Sequence, residues 1–128
     1  MQFNLKLFIF FVLLTTACGK KAETGNFDKE TWKADRYACQ DKRQALLPEL
    51  ENVRHELVGM TGADALKIFG KPEATSLADQ AERVYFYYLT PGPQCQEPNT
   101  LAAGNKLMVR INGIGLVSEI GYEQPLGK

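Results

Sequence analysis

The residues able to do chemistry in this chain are few: one histidine, His55, three cysteines, Cys18, Cys39 and Cys95, and scattered carboxylates such as Asp35, Asp41, Asp64 and Asp79. His55 has no Cys or Ser partner at a recognised spacing, and the chain contains no G-x-S-x-G, no H-E-x-x-H and no phosphate loop. Cys39 and Cys95 lack C-x-x-C spacing, and a lone histidine does not complete a zinc set. Asp64 falls where a helix cap is expected, and Asp35, Asp41 and Asp79 form no carboxylate pair that periodicity supports. The expectation is a non-catalytic protein with no cofactor and no metal. Formal charge is zero, and the basic residues are scattered, with Lys20–Lys21 and Lys42–Arg43 as pairs. No basic stripe suits a phosphate backbone, which argues against a nucleic-acid partner.

The N-terminus carries an address. Lys6 and the terminal amine form a weakly positive start, residues 7–14 are apolar, and Thr15, Thr16 and Ala17 are small, which reads as a signal peptide over 1–17. The apolar run is far short of the roughly 20 residues that span a bilayer. The order Leu14, Thr15, Thr16, Ala17, Cys18 resembles a bacterial lipobox. That resemblance implies cleavage before Cys18, a diacylglycerol on its thiol and an acyl chain on its new amine; the alternative is a secreted protein cut near Ala17. One acyl chain anchors marginally and two or three hold almost permanently, at about 0.8 kcal/mol per buried CH₂. Gly19 stands where the family's inner-membrane retention signal is typically Asp, which implies the outer membrane, with the domain facing the periplasm. Residues 18–26 are small and polar and read as a tether, with a coil span of roughly 15 to 17 Å. With Cys18 lipidated, Cys39 and Cys95 remain as an even pair in an oxidising compartment, where a disulfide is expected and two buried free thiols are the alternative.

These residues must be positioned by a domain over 27–123, followed by a polar tail, 124–128. Its organising stretch is a short helix over 62–69. Thr61 and Asp64 have the layout of a capping box, Leu66 and Phe69 share a face, Gly70 suits a left-handed stop and Pro72 cannot continue the helix. So short a helix is unstable alone and must dock its apolar face. Before it, Asp28 is an N-cap for an arm carrying Trp32, Tyr37 and Cys39, with Trp32 as a packing anchor. A main helix over 41–57 has the stripe Leu46, Leu50, Val53, Leu57. Pro48 inside it predicts either a kink near Gln44 or a fresh start with Pro48 at N1; the unbroken periodicity favours the kink.

After Pro72 the period becomes two. Residues 83–90 form a strand with Val84, Phe86 and Tyr88 on one face and Tyr85, Tyr87 and Leu89 on the other, and residues 106–111 and 116–122 form a hairpin about Asn112–Gly115. The loop 91–105 carries Pro91, Gly92, Pro93, Gln94 and Cys95, and a loop this long is usually functional or disordered. The fold class is α+β, two helices on a three-stranded antiparallel sheet. Tyr85 and Tyr87, with Met108 beside them, are expected to form an outward aromatic patch for a partner, with Trp32 as a further interaction candidate; the alternative is that the loop or Trp32 covers them.

This order of elements behind a lipobox resembles the BamE (SmpA/OmlA) family of outer-membrane assembly lipoproteins. The carriers are Gly59, Met60 and Thr61, then Phe69, Gly70, Lys71 and Pro72, and the tyrosine-rich strand after them. The resemblance covers about half the mature chain and implies an ααβββ scaffold that binds another envelope protein. The same scaffold also resembles β-lactamase inhibitor domains, so a small-ligand or lipid binder or an inhibitor-like domain is the alternative. The arm of Trp32, Asp35, Cys39 and Arg43 and the loop Pro91–Cys95 depart from BamE and look like those of small bacterial lipoproteins.

Overall fold

The computed structural model describes residues 24–99 and 101–124. The expected signal peptide (1–17), Cys18 with residues 19–23 of the expected tether, and residues 125–128 of the tail lie outside the described residues. Three helices, α1 (Lys29–Ala34), α2 (Leu47–Leu57) and α3 (Gly62–Phe69), precede and cover one face of an antiparallel sheet of β1 (Ala74–Leu77), β2 (Arg83–Tyr88), β3 (Lys106–Ile111) and β4 (Val117–Glu123), in the order β1-β2-β3-β4. The protein is therefore α+β, with four strands where three were expected.

Local chemistry explains each start. The Asp28 carboxylate accepts from the Thr31 amide at 3.0 Å and from its hydroxyl at 2.6 Å, and the hydroxyl bond holds the Asp28 carboxyl below its usual range. At α3 the Thr61 hydroxyl accepts from the Asp64 amide at 3.1 Å. Asp64 turns its carboxylate to Lys67, so this is half of a capping box. The buried face of α3 is Ala65, Ile68 and Phe69, with Leu66 38% exposed, which corrects the expected Leu66–Phe69 face.

The Pro48 expectation also needs correcting. α2 begins at Leu47 with Pro48 in its first turn, after a 3₁₀ turn at Gln44–Leu46. The fresh start replaces the kink because a proline in the first turn loses no intrahelical bond, whereas a helix running through from residue 41 would lose one.

The core lies between the helices and the inward face of the sheet. Leu50, Val53 and Leu57 of α2, Ile68 and Phe69 of α3, and Leu107, Val109, Ile111, Val117 and Ile120 of the sheet form one cluster with Trp32 and Tyr87. Register puts Tyr85 opposite Val109 and Tyr87 opposite Leu107. The tyrosine face is thus the inward face, and no outward patch of Tyr85, Tyr87 and Met108 exists: Met108 sits opposite Phe86 on the other side. The physical reason is that β2 is apolar on both faces, and only the parity of β3 decides which face turns in. Trp32 covers Tyr87, with ring centroids 6.2 Å apart. Burial, then the nearby Glu73 charge, pushes the Tyr87 phenol well above its usual range, and its hydroxyl donates to the Gly70 carbonyl at 2.8 Å.

Gly70 stops α3 with φ +78° and ψ −169°, a conformation open essentially to glycine. A Cβ there would also lie 3.1 Å from Lys33 Cγ. Gly70→Val is expected to lower stability by about 1 to 3 kcal/mol, read as a shifted urea midpoint at unchanged slope; an unshifted midpoint would remove the backbone argument.

Candidate functional site

The arm after α1 and the loop after β2, far apart in sequence, form one polar knot. Asp35 is fully buried, and its two oxygens accept from the Gln40 amide at 2.8 Å and the Lys42 amide at 2.9 Å, so the carboxylate is the template around which residues 36–42 turn. That turn needs left-handed backbone at Tyr37, Ala38 and Asp41, with φ of 58°, 57° and 54°. Such residues persist only where the surroundings hold them.

Arg43, 1% exposed, closes the turn from beneath. Its guanidinium donates to the carbonyls of Trp32 at 3.1 Å and Tyr88 at 3.0 Å, meets Glu73 Oε1 at 2.9 Å and lies 4.6 Å from the Trp32 ring centroid. Glu73 Oε1 also accepts from the Tyr37 amide at 3.0 Å. One buried ion pair therefore joins α1, the turn, the lead into β1 and the end of β2. Such a pair costs desolvation that further hydrogen bonds must offset; Arg43 reaches two carbonyls besides the carboxylate, while Glu73 Oε2 is buried without a hydrogen-bond partner among the described residues.

The loop side is built to match. Gln94 is fully buried and its amide donates to the Thr90 carbonyl at 2.7 Å and the Tyr37 carbonyl at 3.1 Å. A Cβ on Gly92 would stand 2.7 Å from Gln94 Oε1, so a larger residue there would require the Gln94 amide to shift. Pro93 starts a 3₁₀ turn that delivers Cys95 to Cys39, and the two form a disulfide with Cα atoms 5.7 Å apart. On the return leg, Tyr88 Oη accepts from the Ala102 amide at 2.9 Å, and Lys106, 2% exposed, donates to Gly104 and pairs with Glu123.

Beside this knot lies a cleft of about 340 Å³. It is lined by Arg36 and Tyr37 from the turn after α1, by Lys71, Pro72, Glu73 and Ala74 from the lead into β1, and by Tyr88 with Pro98, Asn99 and Leu101. Arg36 donates to the Lys71 carbonyl at 2.9 Å and lies 5.3 Å from the Tyr37 ring centroid. Among the described residues neither Arg36 nor Lys71 has a carboxylate in ion-pair reach, while the Glu73 charge is compensated by Arg43. The cleft is cationic and its lining is mostly polar, with Pro72, Ala74, Tyr88, Pro98 and Leu101 as its less polar part.

The sequence candidates fall as follows. Cys39 and Cys95 are joined; Trp32 and Tyr87 are wholly buried; Tyr85 is half-buried against the core; and Met108 is half-buried on the outer face. None of the last four lines the cleft. The residues that do were missed because Arg36 and Leu101 belong to no motif, Lys71 was read only as part of the stop after the short helix, and nothing in a single acid after Pro72 announces that the Glu73 side chain is buried. The signal that was present is the arm Trp32, Asp35, Cys39 and Arg43 with Pro91–Cys95, all parts of the knot. Among the described residues no group of His, Cys, Asp or Glu is arranged to hold a metal, and no helix is long and apolar enough to cross a membrane. No protein-family model, curated protein or solved structure matches the chain.

Proposed function

We propose that this is a lipoprotein of the bacterial outer membrane, anchored through Cys18, whose domain faces the periplasm and binds another envelope protein without catalysing a reaction. The observation that carries the reading is the cleft, with walls set in advance by a buried ion pair and a cystine. Preorganised walls cut the ordering cost of association, which is what a binding surface gains from rigidity. The buried polar groups of the knot beside the cleft support the non-catalytic part: Asp35, Arg43, Glu73 and Gln94 all bond to main chain, so each has a structural task. The likeness to BamE lipoproteins rests on Gly59–Thr61 and Phe69–Pro72 and supports an assembly or maintenance role by analogy of scaffold.

A photo-crosslinking side chain at Leu101, on the cleft rim, compared with one at Ser118 on the far strand, tests this in intact envelopes. A discrete protein adduct at position 101, absent at 118 and lost in Cys18→Ser, is expected. Equal adducts at both positions would refute the cleft as the binding surface, and full retention of Cys18→Ser in outer membranes would refute the anchor.

A further inference from the structure

The two edges of the sheet are treated differently. On the β4 side the chain covers itself: Gly59 donates to the Val117 carbonyl and Val117 to the Met60 carbonyl, both at 2.8 Å, and Arg54 donates to the Ile120 carbonyl at 3.0 Å. β1, at the other edge, pairs with β2 alone. Thr75, Ser76 and Leu77 are exposed, Leu77 at 79%, and the strand contains no charge and no proline, the usual devices that blunt an edge. The Ala78 amide donates to the Glu82 carbonyl at 2.9 Å. By the alternation of antiparallel pairing, Ala74 and Ser76 bond to β2, and Thr75 and Leu77 turn their N–H and C=O to the open side.

The cleft begins where β1 begins, and Ala74 belongs to both. We infer that the open edge of β1 and the cationic cleft are one site for the extended C-terminal segment of a partner protein, a reading that rests on the protein-binding function proposed above. Charge fixes the polarity. A strand added antiparallel to β1 runs from the Leu77 end to the Ala74 end and so delivers its terminal carboxylate to Arg36 and Lys71; a parallel strand would bring a terminal ammonium to the same two cations. Main-chain bonds to Thr75 and Leu77 supply the adhesion common to strand addition, and the last side chain meets Tyr88, Pro98 and Leu101, which favours an apolar residue there.

The probe is a pool of acetylated pentapeptides, Thr-Val-Thr followed by two randomised positions, with a free C-terminal carboxylate, against the same pool amidated. Each is titrated into the ¹⁵N-labelled full chain in detergent micelles. The carboxylate pool is expected to shift the amides of residues 74–77 and the Arg36 side chain, and to bind roughly tenfold or more tightly than the amidated pool, the worth of a charge-assisted contact. Lys71→Gln, at an exposed position, should erase most of that difference, and Thr75→Pro, which removes an outward donor on an edge that tolerates proline, should abolish the shifts while leaving the melt unchanged. Equal binding of the two pools overturns the carboxylate assignment, yet leaves partner binding to be judged by the Leu101 crosslink. Shifts at 74–77 that grow with protein concentration before any peptide is added assign the edge to a second copy of this chain and overturn the proposal, as does an absence of shifts at millimolar peptide.

Discussion

Arg43→Met is expected to destabilise the domain by about 3 to 5 kcal/mol, because it leaves the Glu73 carboxylate buried with one N–H as its partner and removes two carbonyl bonds and a stacked cation from Trp32. The pair itself is worth much less than its rupture. The double variant Arg43→Met with Glu73→Leu is therefore expected to recover much of the loss, since no unpaired charge remains buried. Urea melts of the two single variants and the double variant give the coupling directly. A single variant that melts like the parent would show that the carboxylate finds solvent once Arg43 is gone, and the knot would lose its assigned keystone.

Phe69→Ala is expected to cost a similar amount, about 3 to 5 kcal/mol, through the cavity left in a full aromatic cluster. The Phe69 ring has Tyr87 at 5.6 Å, Trp32 at 5.8 Å and Phe27 at 6.0 Å between centroids, and the residue is 1% exposed. Leu66→Ala, one turn earlier on the rim of the same helix, is the control and should stay within about 0.5 kcal/mol of the parent, as exposed substitutions do. Equal losses at the two positions would mean that α3 docks by a different face from the one described.

Particular residues show where sequence carried the reading and where it stopped. α3 was legible to its ends because Thr61, Gly70 and Pro72 act through local backbone chemistry, which needs no knowledge of the rest of the chain. β2, β3 and the turn at Asn112–Gly115 were legible by alternation and turn residues. β1 was not: a four-residue edge strand of Ala74, Thr75, Ser76 and Leu77 buries nothing on its outer side, so it shows no apolar alternation to find. The facing of Tyr85 and Tyr87 failed for the opposite reason, since a strand apolar on both sides has no preferred parity of its own. The cystine was legible as a pair, whereas the cleft depends on Glu73 and Arg43 meeting across 30 positions of chain, a distance that no local pattern encodes.

The Cys39–Cys95 bond also acts on the molecule when it is not folded. It joins residues 56 apart and turns the denatured chain into a ring with two tails. The ring holds α2, α3, β1 and β2; α1 hangs on one tail, and β3 with β4 on the other. The hairpin of β3 and β4 can form within its own tail, and the β1–β2 pair can form within the ring, so the sheet is completed by joining two preassembled halves across the β2–β3 seam. In the chain-entropy description, closing that ring removes denatured-state freedom worth about 4 kcal/mol. The gain is registered in the unfolded ensemble, and the polar knot around the cystine then has only to orient groups that the ring already keeps close together.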